Sequence, residues 1–195
     1  MRARMAIRKS NIEIELREVD LKNKPAAMLQ TSAKATVPVL VNQGTVIDES
    51  LDIMLWALQQ SDTDNWLNNK YLDEINDLIK FNDNIFKIHL DHYKYSDRFP
   101  QHPQLSYREK GEVFLQQLEK RLNTHRYLLS SKPCLADIAL FPFIRQFAYV
   151  DINWFEQSPY PKLRKWLHFW LESDLFQSIM KKQATWQEDQ PPLIF

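Results

Sequence analysis

The sequence predicts an α/β segment followed by an all-α one, and three observations carry that reading. Residues 36–50 hold two β-branched runs around Asn42-Gln43-Gly44 with a helical pattern directly after them, as in an antiparallel hairpin that feeds a helix. Ser61-Asp62-Thr63-Asp64-Asn65 is a polar break. Beyond it apolar residues recur at helical spacing, so the expected boundaries are 1–60 for the α/β part, 61–66 for a linker and 67–195 for the helical part.

Taken in order, Arg2–Lys9 is rich in helix formers, and Asn11 suits the left-handed conformation that closes a helix. Ile12, Ile14 and Leu16 then alternate with Glu13, Glu15 and Arg17, the pattern of a half-buried strand. Pro25 opens a short helix through Gln30, because a first turn tolerates proline. In the hairpin, Gly44 supplies the positive φ of the reversal, while Pro38 at the start of the first strand has no N–H for a ladder and is a candidate cis peptide. That geometry is expected to turn Val37 outward, with its backbone free to pair with an extended peptide ligand. Ser50 is the expected N-cap of a helix carrying Leu51, Met54, Leu55 and Leu58 on one face. The order is thus α, β, α, β, β, α.

In the helical part, Ile75, Leu78, Ile79, Ile85, Phe86 and Tyr93 form an apolar stripe that Asn82 and His89 interrupt. Residues 95–104, with Pro100 and Pro103, read as a loop, and Leu105–Asn123 as a helix packed through Phe114, Leu115, Leu118 and Leu122 with its charges toward solvent. Cys134 and Asp137 sit where a capping box would open the apolar helix that continues to Phe143, with a thiol in the place of the usual hydroxyl. Trp154, Tyr160, Trp166 and Trp170 extend an aromatic core, and the tail with Trp186, Pro191 and Pro192 is expected to pack back over the helices.

Composition removes several function classes. Lys plus Arg and Asp plus Glu number 25 each, so no net field recruits nucleic acid or an acidic membrane. Cys134 is the only cysteine, which excludes a disulfide framework and a thiolate metal cluster and fits a cytoplasmic location. The longest apolar run, Ile138–Ile144, is too short to span a bilayer. Gly44 and Gly111 are the only glycines, so no glycine-rich phosphate loop exists. His89 and His92 have a helical ligand spacing but no evident companions, and no metal site is expected.

The chemistry gathers in residues 24–50. Val37 offers a backbone rail, the helix start at Ser50 attracts a carboxylate, and Glu49 beside it can take an ammonium, which together make a clamp for a zwitterion. With Asn23-Lys24-Pro25 upstream, this ordered set resembles the thioredoxin-like domain of cytosolic glutathione S-transferases, most closely omega and bacterial beta-like members, and the resemblance runs nearly the length of the chain. It implies that Val37 and Pro38 hold the cysteinyl backbone of glutathione, Glu49 and Ser50 its γ-glutamyl end, and Lys24 its glycyl end. It also implies that the helix holding Asn82, His89 and Tyr93 lines the cleft for a second substrate.

The family would begin with a strand and a loop carrying a catalytic Cys, Ser or Tyr ahead of a helix such as Arg2–Lys9, and neither precedes it here, so no catalytic residue is assigned. Three explanations stand: a misassigned start, a true truncation, or a gap filled by a second copy or by rearranged strand pairing. The expected fold is a thioredoxin-like domain lacking its first strand, then an all-helical domain. The 195-residue chain is expected to show little conjugating activity. Glutathione would act as co-substrate toward a small electrophile or a disulfide, in a homodimer, with no nucleic-acid or membrane partner. The alternative is a non-catalytic binding or regulatory protein of the same fold. Cys134 as nucleophile is disfavoured by its apolar surroundings.

Overall fold

A computed structural model describes residues 1–195 as two compact units, one formed by Met1–Asp64 with Asp174–Phe195 and the other by Asn65–Ser173. In the first unit, α1 (Arg2–Lys9) is followed by an extended segment, α2 (Ala26–Thr31), the hairpin β1 (Leu40–Asn42) and β2 (Thr45–Ile47), and α3 (Ser50–Gln60). α1 packs against α3 and against α10 (Asp174–Met180), which belongs to this unit. Met5 and Ala6 of α1 and Ile53, Met54 and Ala57 of α3 are each at most 1% exposed in the core of this unit. Asn11 takes φ +54° just past α1, as its short side chain allows.

The hairpin pairs Leu40 with Ile47, Val41 with Val46 and Asn42 with Thr45, and its two-residue turn places both Gln43 (φ 48°) and Gly44 (φ 83°) in the left-handed region, as a type I′ reversal requires. Residues 12–18 show the expected alternation, with Ile12, Ile14 and Leu16 half-buried and Glu13, Glu15 and Arg17 exposed. They do not join the hairpin, however, and the sheet has two strands. Their main-chain groups pair instead with the C-terminal tail, which runs beside this segment and ends with the Phe195 ring against Arg8 of α1: Leu16 N–H donates to Leu193 C=O at 2.8 Å and Phe195 N–H to Ile14 C=O at 2.9 Å.

The second unit is built from α4 (Leu72–Phe81), a π-helical turn (Asn82–Phe86), α5 (Lys87–Lys94), α6 (Gln104–Thr124), α7 (Leu135–Ala148), α8 (Ile152–Gln157) and α9 (Pro161–Glu172). α7 is apolar on nearly every side and is its central helix, with Ile138, Ala139, Leu140, Phe141, Ile144 and Phe147 fully buried. The π turn explains why the predicted stripe fails at Ile85. One extra residue in the turn sets the helical phase back, so Phe86 enters the core at 0% exposure while Ile85 is 44% exposed. Nor does every charge on α6 face solvent. Glu119 is buried and accepts from Lys162 N–H at 3.2 Å and Leu163 N–H at 2.7 Å, where the unpaired amides at the start of α9 attract a carboxylate.

α6 crosses Phe147 at Gly111. A β-carbon there would lie 2.9 Å from the Phe147 Cζ and closer still to Cε2. Gly111→Ala is therefore expected to destabilise the chain by about 2 kcal/mol despite the better helix propensity of alanine, as read by chemical denaturation.

Candidate functional site

The two ends of the hairpin place four of the five predicted binding residues, Val37 and Pro38 before β1 and Glu49 and Ser50 where the chain enters α3. The Val37–Pro38 peptide is cis, Val37 is 45% exposed, and neither residue belongs to the β1–β2 ladder, which begins at Leu40. At the other end of the hairpin the chain turns into α3. The cap position falls at Glu49 and not at Ser50: the Glu49 carbonyl accepts the first helical bond, from Ile53 N–H at 3.0 Å, and no side chain caps the helix. Ser50 is the first helical residue and is half-buried, while the Glu49 side chain is 61% exposed. Lys24 is half-buried, just after the tight turn in which Asn23 N–H donates to Asp20 C=O at 3.0 Å.

A residue that the sequence reading did not single out organises the charge here. Lys34 Nζ lies 2.7 Å from Glu49 Oε1 and 3.1 Å from Asp48 Oδ1, and Ser32 Oγ donates to Asp48 Oδ2 at 3.0 Å. The hydrogen bonds to Glu49 and then Asp48 push the Lys34 ammonium above its ordinary value, and Lys34 followed by Ser32 holds the Asp48 carboxyl below its own. All three charged side chains are accessible to water, so salt screens this cluster. Lys34 carries no motif, and only its distance from Glu49 in space identifies it. Beside the cluster, Val46, Ile47, Asp48, Asp52, Leu55, Trp56 and Gln59 line a shallow cavity of about 450 Å³, where the Trp56 indole N–H has no partner.

The three predicted cleft residues lie in the second unit and have different surroundings. Asn82 is fully buried at the start of the π turn, its amide donating to Asp83 Oδ1 at 2.7 Å and its carbonyl oxygen unpaired. His89 is half-buried, and burial, then the charges of Lys110 and His92, lower its pKa. Tyr93 is 3% exposed and lines a cavity of about 390 Å³ with Gln104, Leu105, Arg108, Tyr149 and Asp151 among its walls. Burial raises the Tyr93 pKa, with the Arg108 hydrogen bond opposing the shift. No group of three His, Cys, Asp or Glu side chains converges on a metal-sized site.

Cys134 is 3% exposed and completes a capping box with Asp137, its sulfur facing the Asp137 backbone N–H while Cys134 N–H donates to Asp137 Oδ2 at 3.0 Å, and its thiol also donates to that oxygen at 3.3 Å. Burial first, then the Asp137 charge, pushes the thiol far above its ordinary range, the direction that disfavours a nucleophilic thiolate.

Comparison with known proteins agrees with this geometry on fold. Residues 1–65 match the family description "Glutathione S-transferase, N-terminal domain" and residues 108–168 match "Glutathione S-transferase, C-terminal domain", together more than half of the chain. Similar solved structures include glutathione S-transferase 1-6 from Anopheles dirus species B, 21% identical with a TM-score of 0.74 over 92% of this chain and 88% of that one. The bacterial glutathione S-transferase BphK, solved as a ternary complex, is 22% identical with a TM-score of 0.75 over 92% of each chain. A glutathione S-transferase from Rhodospirillum rubrum is 18% identical, with a TM-score of 0.74 over 94% of this chain and 88% of that one. At such identities the likeness is one of fold.

Proposed function

Because the chain belongs to the glutathione S-transferase family, as matches to both of that family's domains show, we propose that it binds glutathione along residues 24–50 and presents the tripeptide thiol to a small electrophile or a disulfide. The supporting observation is one segment that carries an outward-facing Val37 at its start and an exposed carboxylate, Glu49, at the opening of α3. Val37 and Pro38 hold the extended cysteinyl backbone, since main-chain groups outside a ladder recognise peptide without regard to side chain. Glu49 takes the γ-glutamyl ammonium, Ser50 and the free amides at the helix start take its carboxylate, and Lys24 takes the glycyl carboxylate. The ligand supplies the reacting thiol. Asn82, His89 and Tyr93 belong to the element we assign to the second substrate, residues 61–66 join the two domains, and the working form is a cytoplasmic homodimer of the omega or beta-like type.

The second reading is a non-catalytic binding protein of the same fold; Cys134, the chain's single cysteine, is buried with a raised pKa, so thiol chemistry in either reading rests on glutathione itself. Thermal melting with glutathione, paired with turnover assays on an aryl halide and on a mixed disulfide, separates the readings. A saturable rise in Tm with turnover supports the enzyme, and a rise without turnover supports the binding protein. No rise up to about 10 mM glutathione rejects both, because a ligand at 100 times its Kd adds about 2.7 kcal/mol of stability.

Lys34 already occupies Glu49, and the incoming ammonium has to displace it. Lys34→Ala is therefore expected to tighten glutathione binding about threefold at low salt, with the gain vanishing at high salt, as read by calorimetric titration.

A further inference from the structure

The last residues of the chain form a second, separate pairing in the first unit. Ile14 N–H donates to Phe195 C=O at 3.3 Å, Phe195 N–H to Ile14 C=O at 2.9 Å, Leu16 N–H to Leu193 C=O at 2.8 Å, and Trp186 N–H to Glu18 C=O at 2.7 Å. Glu15 and Ile194 face each other as an antiparallel pair. Side chains alternate as in a strand: Leu193 is half-buried, Ile194 is 59% exposed and Phe195 is buried. Two guanidinium groups close over the aromatic anchors, Arg8 at 4.2 Å from the Phe195 ring centre and Arg17 at 4.7 Å from that of Trp186.

This pairing is short. The hairpin does not use the main-chain edge of residues 14–18, and the terminal triplet is tied to the rest of the tail by Pro191 and Pro192, which have no N–H to donate. Two paired segments with few bonds are marginal in water and open locally well below the free energy of global unfolding. Once the Trp186 N–H bond to Glu18 C=O opens as well, residues 181–192 extend to roughly 40 Å, enough to carry the triplet to another molecule. Every copy of the chain carries both the edge and the strand that fits it, and exchange of identical elements is a low-cost route to a two-fold dimer.

We infer that the Ile14–Leu16 edge is a strand-acceptor site filled in cis by residues 193–195, and that at high concentration it takes the same residues from a second copy, so that the C-terminal tail is an exchangeable arm. The inference does not depend on glutathione binding.

Cross-linking at the facing pair tests it, since Glu15 and Ile194 are exposed and tolerate replacement. The double variant Glu15→Cys with Ile194→Cys, equilibrated with oxidised dithiothreitol in dilute solution, is expected to form an intramolecular disulfide. Absence of that bond overturns the pairing itself. Full-length Glu15→Cys and Ile194→Cys chains are then mixed. The expected result is a heterodisulfide dimer whose share rises at least about tenfold between about 10 µM and 1 mM, where the tethered arm's effective concentration is matched. Ile194→Cys homodimers equal to or above the heterodimer, or no heterodimer at any concentration, overturn the exchange. Hydrogen exchange at the Ile14 and Leu16 amides, which the arm covers, gives a second reading on the unmodified chain: protection no greater than that of exposed loop amides also contradicts the account.

Discussion

Asp137→Ala is expected to cost about 4 kcal/mol and to lower Tm by about 10 °C in differential scanning fluorimetry. The side chain is 0% exposed and gathers four donors. Oδ1 accepts from Leu128 N–H at 3.1 Å and from the Trp166 indole N–H at 2.8 Å, while Oδ2 accepts from Cys134 N–H at 3.0 Å and from the Cys134 thiol at 3.3 Å. The carboxylate thereby ties the loop at residue 128, the start of α7 and the middle of α9 to one point. Burial pushes its carboxyl above the usual carboxylate range, and the hydrogen bonds from Cys134, Trp166 and Leu128 pull the other way. Alanine leaves those donors buried and unpaired, and each such group costs about 1–3 kcal/mol. Asp137→Asn keeps one acceptor oxygen and is expected to lose about half as much. A loss below about 1 kcal/mol for the alanine variant would mean that water replaces the carboxylate and that Asp137 does not hold these elements together.

The second large effect belongs to the binding segment. Glu49→Ala is expected to weaken glutathione about thirtyfold and Ser50→Ala about threefold, because a charge-assisted bond to the ammonium is worth more than a neutral hydroxyl contact. The loss should appear in Kd while Tm without ligand stays within about 2 °C, since the Glu49 side chain is 61% exposed and caps nothing. Unchanged affinity in both variants would remove the clamp assignment even if the chain still binds glutathione elsewhere.

Much of this was legible in the sequence where local chemistry decides the structure. The Asn42-Gln43-Gly44 turn and the cis peptide at Pro38 are specified by preferences acting within a few residues and formed where expected, whereas α3 begins one residue early, with its cap at Glu49 in place of Ser50. The alternation of residues 12–18 was also legible, but its partner was not. Pairing between Leu16 and Leu193 joins distant parts of the chain through main-chain atoms, which leave no mark in side-chain pattern. The exposure of Ile85 escaped because an extra residue in a π turn changes helical phase without any signal from composition. Lys34 was missed for a related reason: it meets Glu49 only after the hairpin folds back. Glu119 looked like a surface charge until the start of α9 was brought to it.

The central claim is that residues 24–50 form the receptacle for glutathione. Amide chemical shifts followed by two-dimensional NMR during a glutathione titration test it most directly. The account predicts that the largest saturable shifts fall at Val37, Glu49 and Ser50, with a smaller set near Lys24. Saturable shifts confined to other residues, or none up to about 10 mM ligand, would contradict it.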